Sequence, residues 1–485
     1  VETVMKRSFR ILSILLAVYL LPLGEFAGKH DPRYGQAVYA ATNYQNKFSA
    51  LIPQSARGNG KLGVYVKSLG DDRVIFQYNE NKNFIPASNN KVISSYAALS
   101  LLGKNYRFKT EFYSGGEIND GTVFGGLFIK AYGDPSLTTE DLIGIVLKMK
   151  SMGIKRIKGD IYLDETYYDK VEYANGWKSE WIGDYYCPPI AAFALNYNTI
   201  DVKISPTSIG NRPRVKIDPE AYILNINNGA VTSNHKSGLI VKLDSTGKVL
   251  NVSGRINRKA GEQTYTISAM NPTTYFGLVF RNLLVAEGIE FEGDIISKEV
   301  PSWSSVFYTH YSDPLYEIIN EFNKESVNII GETLVKTLGA EYVGTPGTWE
   351  GGSYVISKFL RESGIDSEVE IFDGSGLSRY NKVSPKVLAT ILSEAYNRSD
   401  FSYEFLSSLP VAGVDGTLKK RFRGSRIKGR VAAKTGYLNG VRALSGYVFG
   451  KDGNIFVFSV ISNGLGHKAK AFQNELLLQL IDCCN

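Results

Sequence analysis

Three short clusters in this sequence combine residue types that can do acyl-transfer chemistry. The first is Ser88-Asn89-Asn90-Lys91. A hydroxyl and an amine three residues apart share a face when the segment is helical, so they can meet. A serine hydroxyl is a poor nucleophile unless a base stands beside it. A lysine amine can be that base if burial or a neighbouring cation lowers its pKa, by up to ~3–5 units in the extreme. The second cluster is Ser326-Val327-Asn328. There a second hydroxyl can relay a proton to a leaving group, and the amide can hold the lysine and a substrate carbonyl. The third is Lys434-Thr435-Gly436, which occurs once. On an edge strand, Lys434 and Thr435 can bind a carboxylate while Gly436 lets a peptide backbone approach.

Taken singly the clusters are weak. Ser/Lys pairs at the same spacing recur at Ser233/Lys236, Ser245/Lys248 and Ser425/Lys428, in turn-rich or polar stretches that read as solvated surface. Ser88-Asn89-Asn90 itself matches the second pattern. Their joint occurrence in this order is what carries the reading.

The elements that must position these residues follow from periodicity. Leu62, Val64 and Val66, then Val74 and Phe76, alternate around a Gly70-Asp71-Asp72 turn and predict a hairpin. Pro86-Ala87-Ser88 opens a helix with Val92, Tyr96, Leu99 and Leu102 on its apolar stripe and Gly103 at its end. Thr138 and Asp141 form a capping-box pattern, and Asn271-Pro272 starts another helix. Residues from about 191 to 269 read as short strands between Asn/Gly/Ser turns. Pro314 to Leu338 reads as the clearest long helical pattern, and the plainer reading of Ser326 and Asn328 within it is that they break or cap a helix. Ala443–Val448 and Ile455–Ile461 read as strands, and Ala469–Ile481 as a closing helix.

The 234 residues between Lys91 and Ser326 are far too many for a loop in a compact domain, so they must fold in their own right. This predicts a multi-domain α/β (α+β) chain. An antiparallel sheet flanked by helices (residues 41–112 and 300–485) would be interrupted by an inserted domain (113–190 and 268–299). A second β-rich domain (191–267) would be nested inside that insert.

Composition excludes several alternatives. Of 485 residues, 43% are apolar and 21% charged, which is globular rather than disordered or fibrous. The excess of 55 basic over 48 acidic residues, +7, is too small for a nucleic-acid binder, and it is compatible with association with a membrane or an anionic wall polymer. The run Lys419 to Arg430 concentrates basic residues and reads as a solvated face. Three cysteines (Cys187, Cys483, Cys484) and four histidines without an HExxH pattern give no metal centre, and no cofactor is expected. Lys6, Arg7 and Arg10 followed by the apolar stretch Ile11–Leu23 read as an export signal or N-terminal anchor within residues 1–40, so the protein is expected to work outside the cytoplasm.

With these motifs in place, the chain resembles the D-alanyl-D-alanine carboxypeptidase/endopeptidase family, the low-mass class C penicillin-binding proteins. The resemblance extends to Tyr132-Gly133-Asp134-Pro135, Gly159 to Asp164, Ala194 to Asn198, Asp373 to Arg379, Asp415 to Leu418 and Gly429 to Tyr447. It implies the penicillin-binding, β-lactamase-like fold with a large nested insert. It also implies hydrolysis of D-Ala-D-Ala termini or D-Ala cross-links of peptidoglycan stem peptides, with covalent inhibition by β-lactams. Ser88 would be the nucleophile, Lys91 its base, and Ser326, Asn328 and Lys434 the remaining catalytic groups. Thr435, Gly436, Tyr437, Leu438 and Arg379 would lie on the substrate side, and Asp164 would read the amino group of the stem peptide's diamino acid. Two readings from other classes share the motifs: a β-lactamase, and a non-catalytic peptidoglycan-binding protein. The chain departs from the family at Val327, where Asp is usual, and at Tyr437, where a small hydroxyl residue is usual. The second departure removes a carboxylate ligand and predicts a shift toward endopeptidase activity.

Overall fold

The hydrophobic pattern of the first hairpin matures into one side of a five-stranded antiparallel sheet. Its order is Val431–Leu438, Val441–Phe449, Ile455–Asn463, Leu62–Ser68, Val74–Tyr78, so the two ends of the chain meet in one sheet. Ile455–Asn463 is buried at seven consecutive positions rather than at alternate ones, because both faces of the sheet are covered. Helices Asn90–Leu101, Leu315–Lys324, Asn328–Tyr342, Trp349–Glu362 and Pro385–Asn397 share one apolar cluster, in which Val92, Tyr96, Phe322, Ile330, Leu334, Ile356 and Leu388 are fully or almost fully buried. The final helix, His467–Ile481, packs on the strands Val441–Phe449 and Ile455–Asn463. This computed structural model describes residues 44–244, 246–365 and 368–482. The export-signal segment and Cys483–Cys484 lie outside the described residues. From Gln45 onward the chain forms one compact unit.

Among the described residues, four further sheets fill the stretch between the helix Asn90–Leu101 and residue 312. One has the order Ile295–Ser297, Ile161–Asp164, Leu127–Ala131, Lys109–Ser114, Ser305–Tyr311. A second small sheet, Thr199–Ser205 between Arg214–Asp218 and Gln263–Ser268, lies in the region expected to be rich in short strands. These elements build a second apolar cluster that begins at Phe112, whereas Phe108 still belongs to the first. The strand Lys109–Ser114 pairs with Ser305–Tyr311, so the expected division after 112 cuts the first of these strands and the one after 299 separates the second from the insert.

Local signals account for several helix starts. Thr138 caps Thr139–Ser151: its hydroxyl accepts from the Asp141 N–H at 3.2 Å, and Asp141 accepts from the Thr138 N–H at 2.9 Å. Asn271 caps Pro272–Ala286 by accepting from the Thr274 N–H at 2.8 Å. The long helical pattern over Pro314–Leu338 is divided into two helices, Leu315–Lys324 and Asn328–Tyr342. Ser326 has φ +62° and Val327 is extended, which ends one helix and starts the next. The apolar stripe runs on through the break, so periodicity alone does not register it.

Candidate active site

The first motif lies where a short 3-10 turn, Ala87–Asn89, feeds the helix Asn90–Leu101. Ala87 has φ +49°, an unfavourable conformation for a residue with a Cβ, and it turns the chain sharply into the helix. Ser88 is half-buried and Lys91 is completely buried. The Lys91 amine lies 3.3 Å from Ser88 Oγ, donates to Asn328 Oδ1 at 2.7 Å and donates to the Ser375 carbonyl at 2.8 Å. Two acceptors therefore take two N–H groups. A neutral amine has just these two, and its lone pair is left for the Ser88 hydroxyl. Burial pushes Lys91 down to about 7, against the opposing pull of the Glu332 and Asp373 carboxylates.

The second motif occupies the break between two helices. Its strained backbone brings Ser326 Oγ to 3.0 Å from the Lys434 amine, and Asn328 opens the following helix. Asn328 also donates its amide N–H to the Tyr186 carbonyl at 2.7 Å, so a residue of the inserted region fixes the amide that holds Lys91.

The third motif is on the edge strand Val431–Leu438. The Ala433 N–H points off the sheet to the Pro410 carbonyl, so by the two-residue period Thr435 and Tyr437 direct their N–H groups to the same free edge. Lys434 is completely buried and its pKa falls well below the ordinary lysine value, first because of burial and then because of the Lys91 charge. Lys91, for its part, owes its own shift to burial. Gly436 is needed for a closer reason than substrate approach: a Cβ there would lie 2.7 Å from the Pro86 carbonyl, in the turn that carries Ser88. Asn89 closes the same junction by donating to the Lys434 carbonyl at 3.0 Å.

The five side chains thus form two adjoining hydrogen-bonded groups, Ser88–Lys91–Asn328 and Ser326–Lys434, with Lys434 close enough to feel the Lys91 charge. Thr435 lies beside them, its hydroxyl 2.8 Å from that of Thr417. Tyr437 is exposed, and the Arg442 guanidinium stacks 3.7 Å from its ring centroid. Arg379 is half-buried and donates through two nitrogens to the Asn439 carbonyl, both at 3.1 Å, just past Leu438 at the end of the same strand. Asp164 is elsewhere. It is completely buried in the insert and accepts from the Thr166 N–H and hydroxyl, the Val300 N–H and the Lys130 amine. Burial raises its pKa, and these four donors outweigh burial and leave it lowered. Such a saturated carboxylate supports a part in closing its own turn.

Sequence reasoning missed two carboxylates beneath the cluster. Glu332 is completely buried on the Asn328–Tyr342 helix, and Asp373 is buried in the loop that supplies the Ser375 carbonyl. The available signal for Glu332 was a charge among Ile329, Ile330, Leu334 and Val335, where a buried charge needs partners. The basic run 419–430 is only partly a solvated face: Arg421 binds Asn474 on the final helix and Arg430 the carbonyls of Phe449 and Gly450. No group of three or more His, Cys, Asp or Glu among the described residues could hold a metal ion, and no helix among them is long and apolar enough to cross a membrane.

Comparison with known proteins converges on one family. The family model for the D-Ala-D-Ala carboxypeptidase 3 (S13) family matches residues 45–480. The D-alanyl-D-alanine carboxypeptidase of Actinomadura sp. (strain R39) is 30% identical over 465 residues, 91% of this chain and 85% of that protein. The D-alanyl-D-alanine carboxypeptidase DacB of Haemophilus influenzae is 28% identical over 426 residues, 85% of this chain and 87% of that one. The crystal structure of penicillin binding protein 4 (dacB) from Haemophilus influenzae superposes with a TM-score of 0.77 at 25% identity, covering 89% of this chain and 99% of that one. The chain belongs to the D-Ala-D-Ala carboxypeptidase 3 (S13) family of serine peptidases.

Proposed function

We propose that Ser88 is the nucleophile of a D-Ala-D-Ala carboxypeptidase/endopeptidase acting on peptidoglycan stem peptides, and that Lys91 is its general base. The observation that carries this reading is the Lys91 amine: buried, drawn down to about 7, and held by two acceptors with Ser88 Oγ 3.3 Å away. Ser88 attacks the carbonyl of a D-Ala-D-Ala or D-Ala cross-link bond as Lys91 takes its proton. The N–H groups of Ser88 and Tyr437 receive the developing oxyanion, a contribution of about 3–4 kcal/mol per donor in other enzymes. Ser326, 3.0 Å from Lys434, passes a proton to the departing amine. A substrate carboxylate beside Lys434 and Thr435 favours the charged amine, which burial alone disfavours. Water then releases the acyl group.

A β-lactam enters the same site, acylates Ser88 and leaves slowly. The Haemophilus influenzae penicillin binding protein 4, which shares the fold, has been crystallised with a β-lactam. We further read the catalytic module as extending to about residue 108 and resuming at about 312, which keeps the strand pair Lys109–Ser114 and Ser305–Tyr311 within the insert. Peptidoglycan as substrate implies work outside the cytoplasm.

The test is a fluorescent penicillin followed by a denaturing gel, on the wild type and Ser88→Ala. A persistent band in the wild type only is the expected result. Labelling that survives Ser88→Ala would overturn the assignment of the nucleophile. Intact penicillin with no band would favour a binding protein, and hydrolysed penicillin with no band a β-lactamase.

A further inference from the structure

Glu332 lies four residues after Asn328 on the same helix face, one turn deeper. Its Oε2 accepts from the Trp349 indole N–H at 2.7 Å and the Gly374 N–H at 3.1 Å, and its Oε1 accepts from the Ser375 N–H at 2.9 Å. All three partners are donors, the pattern that suits an ionised carboxylate, while burial and then the Asp373 charge push Glu332 up to about 7, into the range where Lys91 also titrates. On its other side the same loop turns three successive carbonyls toward the Ser88 helix. Asp373 accepts from the Asn90 amide at 2.7 Å, Gly374 from the Ser94 hydroxyl at 2.7 Å and Ser375 from the Lys91 amine at 2.8 Å. The loop is clamped, since a Cβ on Gly374 would lie 1.9 Å from the Gly331 carbonyl. The Ser375 peptide group therefore has its N–H neighbour on Glu332 and its carbonyl on Lys91.

We infer that Glu332 is a positioning residue for acylation, whose carboxylate holds the 374–375 backbone so that the Ser375 carbonyl fixes the Lys91 amine against Ser88. Its charge also acts on Lys91 through this short path. The charged and titratable groups around Glu332 are Asp373 on the loop, Lys91 on the Ser88 helix, Lys336 one turn further along its own helix and the Cys187 thiol from the insert. Lys336 is paired with Asp169 at 2.6 Å, and burial pushes Cys187 up to about 12, so neither neutralises Glu332. The Glu332 and Asp373 carboxylates both pull the Lys91 value upward, against burial, and Lys434 lies close enough to feel the Lys91 charge. The inference rests on the Ser88–Lys91 reading above.

The test is the second-order rate of acylation by a fluorescent penicillin between pH 5 and 9, on the full chain. Glu332→Gln keeps the volume and removes the charge. It is expected to lower the plateau rate at least ~10-fold and to move the acid limb to lower pH, because a carboxylate that favours protonated Lys91 and titrates alongside it is gone. Glu332→Asp keeps the charge but draws it back from the loop, so its plateau falls while the acid limb stays at the wild-type pH. An acid limb unmoved in Glu332→Gln, a shift of equal size in both variants, or an unchanged plateau overturns the inference. If Glu332→Gln shows no cooperative unfolding transition, Glu332→Asp decides by the same criteria. A wild type that takes no label refutes the Ser88–Lys91 reading itself, whereas a labelled wild type matched by Glu332→Gln refutes only this inference.

Discussion

Acylation should titrate with the Lys91 amine, and the size of the effect follows from its surroundings. The amine is fully buried, and burial draws it from the ordinary lysine value of 10.5 to about 7 despite two nearby carboxylates. Only the neutral form can accept the Ser88 proton. With a midpoint near 7, about half the molecules are competent at pH 7, roughly a tenth at pH 6 and roughly nine tenths at pH 8. The sign is fixed by the direction of the shift: activity is gained as pH rises through the midpoint and lost as it falls. Acylation by a chromogenic or fluorescent β-lactam, followed in a stopped-flow instrument at sub-saturating concentration, should therefore drop about fivefold from pH 7 to 6 and rise less than twofold from pH 7 to 8. Lys91→Arg, which carries a permanent charge, should lose at least ~100-fold at every pH. A profile flat from pH 5.5 to 8, or one that rises only above pH 9, would refute a lysine base neutralised by burial.

Three other perturbations probe the surrounding framework. Gly376→Ala places a Cβ 1.9 Å from the Ala87 carbonyl at φ +84°, so it should cost roughly 2–4 kcal/mol in chemical denaturation and abolish penicillin labelling by displacing the Ser88 turn. Tyr437→Ser, which puts a small hydroxyl beside Thr435 and releases Arg442 from its stacked ring, should raise kcat/KM on a peptide ending in D-Ala-D-Ala by about tenfold, the worth of one charge-assisted hydrogen bond, and leave cleavage of a cross-linked dimer nearly unchanged; equal cleavage of both substrates by the wild type would count against it. Thr138→Ala breaks a helix cap inside the insert and should cost about 1 kcal/mol in a melting experiment while leaving acylation untouched.

The three motifs were legible because each is short and its chemistry depends on spacing along one element. Ser88 and Lys91 are one helical turn apart, and Lys434 and Thr435 sit on one strand. The helix starts at Thr138 and Asn271 were legible for the same reason, since a cap acts within four residues. What lay hidden depends on contacts between distant segments. The break at Ser326 is invisible in the apolar stripe because Phe322 and Ile329 stay on the core side on both flanks. Its cause is a left-handed serine whose hydroxyl meets Lys434, 108 residues away. Glu332 and Asp373 looked like ordinary helix and turn residues. Only the fold shows that backbone N–H groups and two indoles satisfy them: Trp349 on Glu332, and Trp177 on Asp373 at 2.9 Å.

That last contact changes how the insert relates to the chemistry. Trp177 belongs to the segment between the motifs, as do Asn175, whose carbonyl accepts from Ser378 at 2.7 Å, and Tyr186, whose carbonyl accepts from Asn328 at 2.7 Å. Ala174, Ile190 and Ala194 from the same stretch are buried in the apolar cluster of the catalytic sheet rather than in the cluster of the insert. Lys91 is lowered by burial above all, and a lysine is buried only if every side of it is covered. Residues 174–194 are one of those covers, because they hold Asn328 and Asp373 from outside while Glu332 holds the same loop from beneath. An inserted region that merely decorated the enzyme could be shortened at no cost to the base. Here, shortening that removed this segment would rehydrate Lys91, return it toward its ordinary protonated state and switch off acylation at neutral pH with the three motifs intact.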